Sequence, residues 1–160
     1  GIVEHKSRQS LSLSALKDKA SITILRFLLD AVEHYGKPKS LRTDNEPVFT
    51  SRLFKSGLWL IGIRHQLIDK GCPWQNGRIE RFFGTLKEKL DQWQVNSPEQ
   101  LNGALAQFRF WYNHVRPHQN LDGRTPVEVW NGTDVFSRRP KHEYWVEAWD
   151  GLLTGFYLKL

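Results

Sequence analysis

The chain has 160 residues, enough for one domain with at most an appendage. It is 39% hydrophobic, with seven Trp, nine Phe and four Tyr to furnish a core, and it contains no apolar run of the about 18 residues that a membrane-crossing helix needs. Lys and Arg outnumber Asp and Glu by 23 to 17, a formal charge of +6 that suits a polyanionic partner without proving one.

The single cysteine, Cys72, excludes an internal disulfide and a Cys-based zinc site. No basic-then-apolar leader opens the chain, so a cytoplasmic protein is expected. The chain starts at Gly1-Ile2-Val3 without Met, inside an apolar segment, and so reads as a piece of a longer protein.

In chain order, residues 1–16 read as a strand end, a turn and a second strand. Ser21 is placed to cap a helix running to about Tyr35, with Ile24, Leu25, Leu28, Leu29 and Val32 on one face and Gly36 with Pro38 to stop it. Lys39 to Thr43 reads as a short buried strand with Asp44 at its C-terminal end. Ser51 begins a second helix closing near Gly62, and Ile63 to Ile68 alternates as a strand. Asp69 to Gln75 is a loop by its Gly and Pro content.

A long helix is expected from about Asn76 to Gln94, with Ile79, Phe82, Leu86, Leu90 and Trp93 as its buried stripe. Another spans Pro98 to Val115, capped by Ser97 with Pro98 at its first position and Glu99 in its first turn. A helical turn from Thr125-Pro126 to Trp130 and a polar stretch from Asn131 to His142 follow. The Trp-rich runs 144–149 and 152–160, separated by Asp150-Gly151, read as a β-hairpin. This order indicates a mixed α/β sheet layered with helices. The expected organisation is a core over residues 1–130, then a linker and hairpin over 131–160.

Two carboxylates stand out. Asp44 is delivered at a strand end, where ligands of open α/β sheets tend to bind; an Asx-turn is the competing role for an Asp-Asn pair there. Glu80 lies about 100° round the helix from Ile79. Lys87 shares its face two turns on, with Gly84 leaving room between them. A pair of divalent ions acting on a phosphodiester needs carboxylates of this kind, but a solvated helix face carries the same charges by default. His65, His114 and His118 fit no common zinc spacing with Cys72. The string Phe108, Phe110, Trp111 and Tyr112 fits core packing better than base stacking. Arg64, Arg78, Arg81, Lys87 and Lys89 are candidates for a basic surface that contacts phosphates.

Leu41 to Ser51, with Asp44 inside it, resembles the second-aspartate motif of retroviral-type integrase cores and the DDE transposases of bacterial insertion sequences. Gly62 to Gln66 and Pro73 to Lys87 resemble the segment that carries the catalytic glutamate. Trp111 to His118 with Thr125-Pro126 resembles the helix and tail that follow. The resemblance implies an RNase H-like fold and a DDE mechanism. Three carboxylates would hold two Mg²⁺ or Mn²⁺ ions for DNA cleavage and strand transfer, without a covalent protein–DNA intermediate. It implies Asp44 and Glu80 as catalytic and metal-binding residues and Lys87, Asn76 and Gly77 as DNA contacts, which Arg78 and Arg81 of the basic surface are expected to join. It also implies DNA as partner and a homo-oligomer.

The departure from the family pattern is its first Asp. Asp18, Asp30 and Glu4 fit the position poorly, so that Asp is expected upstream of Gly1. The fold is accordingly expected to lack its first strand and the fragment to be inactive by itself. The rival readings are an RNase H-like nuclease and a DNA-binding or assembly remnant without catalysis.

Overall fold

The computed structural model describes residues 1–133, 136, 137 and 139–159. It divides into two compact units, one of residues 16–81 and one of residues 1–15 with 82–160.

In the first unit, α1 (Ser21–Tyr35) buries Leu25, Leu28 and Ala31 and stops at Gly36 with φ 85°, as the periodicity and the glycine predict. Leu29, expected on the buried stripe, is exposed. Ser21 is not the cap; Ala20 is. The Ser21 hydroxyl donates instead to the Val48 carbonyl (3.2 Å) and lies 2.8 Å from the Ser51 hydroxyl, because the segment after β3 offers it a partner that its own helix end does not need.

β3 (Ser40–Thr43) and β4 (Arg64–Leu67) pair in parallel, from Ser40 opposite Arg64 to Thr43 opposite Leu67. Parallel strands need a crossover, supplied by α2 (Pro47–Thr50) and α3 (Arg52–Ile61). The sequence reading omitted α2. Pro47 suits a first helical position, where its missing N–H costs nothing. Ser51 caps α3 by accepting the Phe54 N–H at 3.2 Å, and Gly62 ends it in the left-handed conformation. Phe54 and Leu58 are buried beneath α3. Gly57 lets α3 approach α1, since a Cβ there would lie 2.8 Å from Leu25. β3 is less buried than expected: only Thr43 is fully enclosed.

The boundary between the units falls within α4 (Gly77–Leu90), which is entered through a 3₁₀ turn, Pro73–Asn76. α4 stops four residues short of the expected Gln94. Its last bonds tighten to i→i−3, from Gln92 N–H to Lys89 and from Trp93 N–H to Leu90. Trp93 is thereby taken off the helical stripe and stacks on Trp149 with ring centroids 4.9 Å apart. Phe82 and Leu86 are the fully buried members of that stripe.

In the second unit, β1 (Ile2–Val3) and β2 (Ser10–Ser12) form a small antiparallel pair. α5 (Pro98–His114) is capped by Ser97, as expected, and buries Leu105, Phe108, Trp111 and Tyr112. Its Asn113 acts as a backbone surrogate: the side-chain amide accepts the Ser10 N–H (2.8 Å) and donates to the Ser10 carbonyl (2.9 Å). α6 (Pro126–Asn131) carries a full capping box between Thr125 and Glu128.

β5 (His142–Ala148) and β6 (Leu153–Lys159) form the expected hairpin, paired from His142 opposite Lys159 to Ala148 opposite Leu153. Trp149, Asp150 and Gly151 are all left-handed at the turn, and this sends Trp149 into the core at 3% exposure. The predicted single mixed sheet is realised as three two-stranded ladders. β1 to β4 are two to four residues long, so each supplies too few ladder bonds to hold neighbours on both sides.

At Gly155 in β6, φ is +148° and an added Cβ would lie 2.6 Å from Val115 Cγ1. Gly155→Ala combines overpacking with a disfavoured backbone angle. A loss of roughly 2–4 kcal/mol is expected in chemical denaturation on these grounds. Gly77→Ala, whose Cβ meets nothing within 4 Å, should stay close to the parent.

Candidate nucleic-acid processing site

Asp44 follows the last residue of β3, half-buried, at the carboxyl end of the parallel β3–β4 pair. Its Oδ1 accepts the Glu46 N–H at 2.9 Å, which is the Asx-turn that the sequence offered as the competing role. That bond uses one oxygen and fixes the rotamer, so the two roles coexist. Next to it the Thr43 hydroxyl donates to the Asp44 carbonyl (3.0 Å) and lies 2.8 Å from His65 Nε2. Asn45 donates to the Ile68 carbonyl at 2.8 Å. Together these bonds fasten the exit of β3 to β4 on both sides of Asp44.

Glu80 is in the first turn of α4 and exposed. A carboxylate there is favoured by the positive end of the helix dipole. Asp44 and Glu80 belong to the same compact unit. The loop before α4 is braced by Gln75, which sequence reasoning passed over. Its Oε1 accepts the Asp69 N–H (2.9 Å) and its Nε2 donates to Asp69 Oδ2 (2.8 Å). The Gln75 carbonyl accepts from Arg42 of β3 at 3.2 Å. Only the six-residue spacing from Asp69 to Gln75 across a Gly-Pro turn could have signalled this clasp.

Asn76 closes the 3₁₀ turn, and Gly77 opens α4 with open space where a side chain would be. Arg78, Arg81 and Lys87 are exposed on α4; Lys87 lies in the helix's last turn, with open space at Gly84 between it and Glu80. Among the described residues no group of three His, Cys, Asp or Glu side chains is arranged to hold a metal ion. Asp44 and Glu80 offer hard carboxylate oxygens. This donor type fits Mg²⁺ or Mn²⁺, which take one or two protein carboxylates and complete their shell elsewhere.

Glu4 is occupied by its own turn. Burial raises its carboxyl, but the Lys6 N–H (2.9 Å) and the Ser7 hydroxyl (2.6 Å) outweigh this and hold it below the usual range. Asp18 is likewise turned to a local backbone N–H, that of Ala20, at 2.9 Å.

The histidines are structural. His65 packs edge-on to Phe54 and is pushed down by burial and by Lys55. His114 stacks on Phe110 at 4.8 Å. His118 packs against Tyr112, and burial, aided by Arg116 and Arg8, pushes it down to about 4. Phe108, Trp111 and Tyr112 are core residues, whereas Phe110 is partly exposed between His114 and Tyr157.

Residues 61–126 match the integrase core domain family. Over these residues the chain is similar to an integrase core domain. An insertion element IS476 protein of 39.2 kDa from Xanthomonas euvesicatoria is 35% identical over 126 residues, covering 78% of this chain and 36% of the relative. An IS407 protein of 31.7 kDa from Burkholderia multivorans is 29% identical over 128 residues, covering 79% of this chain and 46% of the relative. The chain therefore spans between a third and a half of the length of these two relatives. The HTLV-2 integrase catalytic core domain, solved in complex with magnesium in a trimeric form, superposes with a TM-score of 0.64 at 26% identity, covering 79% of this chain and 80% of that one. The fold is thus that of integrase catalytic cores, RNase H-like as the motifs imply. Among the described residues no helix is long and apolar enough to cross a membrane.

Two outcomes test this geometry. Gln75→Ala removes both side-chain bonds to Asp69, so the Asp69 amide should exchange hydrogen faster, with a stability loss of roughly 1–2 kcal/mol. His118 titrates at about 4 when folded against 6.5 ordinarily. Between those values the unfolded chain binds more protons, so stability is full above pH 6.5 and falls as pH drops toward 4. His118→Gln should flatten that part of the denaturation profile, and an unchanged slope would refute the assignment.

Proposed function

We propose that the chain is the catalytic core of a DDE-type transposase or integrase that cleaves DNA at element ends and joins it to a target. The observation that carries this reading is Asp44, held at the end of a parallel strand by its Asx-turn in the same compact unit as Glu80 of the first turn of α4. In it, residues 1–130 form the core, the hairpin within 131–160 is an appendage, and the protein acts in the cytoplasm as a homo-oligomer. The relatives named for insertion elements and the retroviral core solved with magnesium support it.

Asp44 and Glu80 are the metal-holding carboxylates of this site, for two Mg²⁺ or Mn²⁺ ions in its complete form. When bound, such ions supply Lewis-acid activation of a phosphodiester and of the attacking hydroxyl. The chain's own groups do the rest. The Asx-turn engages one Asp44 oxygen and so leaves the other for a metal ion. The Gln75 clasp sets the entry to α4 and so the direction of Glu80. Lys87, Arg78 and Arg81 take backbone phosphates, which position DNA without reading sequence. Asn76 and Gly77 allow close approach of DNA at the helix start.

A second reading concerns this chain by itself. It contributes two of the three carboxylates a DDE site uses, and among the described residues no third joins them. The isolated chain would then bind DNA without cutting it.

The test is strand transfer and cleavage by the full-length protein on terminal-repeat DNA with Mg²⁺. Asp44→Asn and Glu80→Gln should each lower both steps by about 10²-fold or more while DNA binding persists. Lys87→Ala should weaken binding and reduce its salt slope by about one. Cleavage without joining would favour a nuclease. Full activity in both carboxamide variants would refute the assignment of the site.

A further inference from the structure

The two faces of the C-terminal hairpin have different surroundings. Tyr157 of β6 packs against Phe110 and His114 of α5, Gly155 is tight against Val115, and Leu153 is fully buried. The odd-numbered residues of β6 therefore face the body of this unit. Successive side chains of a strand alternate between faces, so Thr154, Phe156 and Leu158 point the other way. Their partners across the ladder, Glu147, Trp145 and Glu143, share that outer face.

At the centre of the outer face Trp145 and Phe156 are directly paired, T-shaped with ring centroids 5.1 Å apart. Each is nevertheless more than half exposed, at 56% and 55%. A T-shaped contact spends one ring face and leaves the others open. Glu143 and Glu147 stand on either side of Trp145, both exposed. The Trp145 indole N–H reaches Glu147 Oε2 at 3.4 Å, which keeps that carboxylate beside the ring. These side chains include two carboxylates and no cation, on a chain of formal charge +6. Lys159 belongs to the inner set, and Lys141 precedes β5.

We propose that this face docks a basic, extended segment of another polypeptide. Electrostatics selects the class. The phosphates of a nucleic acid would be set against two carboxylates, whereas lysine or arginine meets them with the opposite charge. The stem of such a side chain covers apolar rings while its head group reaches a carboxylate, and a cation over a tryptophan face is attracted by the ring itself. Geometry sets the spacing. Two-residue steps along β5 place Glu143 and Glu147 about 13 Å apart with Trp145 midway. An extended partner has the same rise, so its cations at positions i and i+4 meet the two glutamates and a third at i+2 lies over Trp145. The hairpin is outside the residues that match the integrase core domain, 61–126. Its outer face includes neither Asp44 nor Glu80, so the inference goes beyond the catalytic reading and is tested apart from it.

The experiment titrates the chain at low ionic strength with a short, blocked, fluorescently labelled peptide of alternating lysine and threonine. Anisotropy reports binding, and the Trp145 indole N–H resonance reports its place. Saturable binding with a shift of that resonance is expected, and neither from the same peptide with glutamate for lysine. Trp145→Ala, Glu143→Gln and Glu147→Gln should each weaken binding roughly two- to fivefold. Glu143→Gln with Glu147→Gln should weaken it about tenfold, while Asp44→Asn with Glu80→Gln should leave it unchanged. All three hairpin positions are exposed, and near-ultraviolet circular dichroism from the Trp93–Trp149 stack checks that each variant is folded. Absence of saturable binding up to millimolar lysine peptide overturns the proposal. So does equal affinity in the parent and the doubly substituted Glu143 and Glu147 variant. A shift of the Trp145 resonance by duplex DNA and not by the lysine peptide would overturn it too, and make this face a nucleic-acid surface.

Discussion

The clasp of Gln75 on Asp69, with Arg42 on the Gln75 carbonyl, is the constraint on which the candidate site depends. Asp44 needs only the end of β3, but Glu80 is reached through a loop that contains Gly71 and Pro73 and would otherwise set no particular direction for α4. One amide side chain closes that loop on itself, and one guanidinium ties it to the strand two residues before Asp44. Each bond is exposed and modest by itself. Their value is geometric: a carboxylate site must be held within about half an ångström, and a loop with no such brace does not do that.

Around Asp44 the same logic is carried by short polar bonds. The Thr43 hydroxyl reaches both the Asp44 carbonyl and His65, and Asn45 reaches the Ile68 carbonyl. The strand pair is therefore pinned where it ends, and the Asp44 side chain is left with one oxygen unspent by the Glu46 N–H. His65 shows why a histidine in a motif is not a ligand by default. Its ring nitrogen is engaged by Thr43, its ring makes a T-shaped contact with Phe54, and burial disfavours its charged form.

What the sequence made legible followed from local rules. Ser97 before Pro98, Thr125 before Pro126, and Gly36 and Gly62 after apolar stripes each mark a helix end by the hydrogen bonds or backbone angles they supply, and each sits where expected. The Asp150-Gly151 turn fixed the hairpin register for the same reason. What stayed hidden was non-local. Ser21 has cap chemistry but found partners at Val48 and Ser51. Trp93 keeps the stripe's spacing yet is drawn off the helix by Trp149, fifty-six positions away. Asn113 is unremarkable in a helix until Ser10 is seen lying across it. Asp44 and Glu80 were visible because their motifs are dense, but Gln75 was not, since its role depends on a loop closure that no periodicity encodes.

The two units solve different problems with this chemistry. Residues 16–81 use short polar bonds to fix the exit of β3 and the loop that enters α4. The unit of residues 1–15 and 82–160 instead builds a rigid aromatic body, in which Phe82, Phe108, Tyr112, Trp149 and Trp93 are linked ring to ring. Aromatic contacts of this kind fix a core with few rotatable bonds. They give β6 a firm base on α5 and leave β5 as the uncovered side of the hairpin.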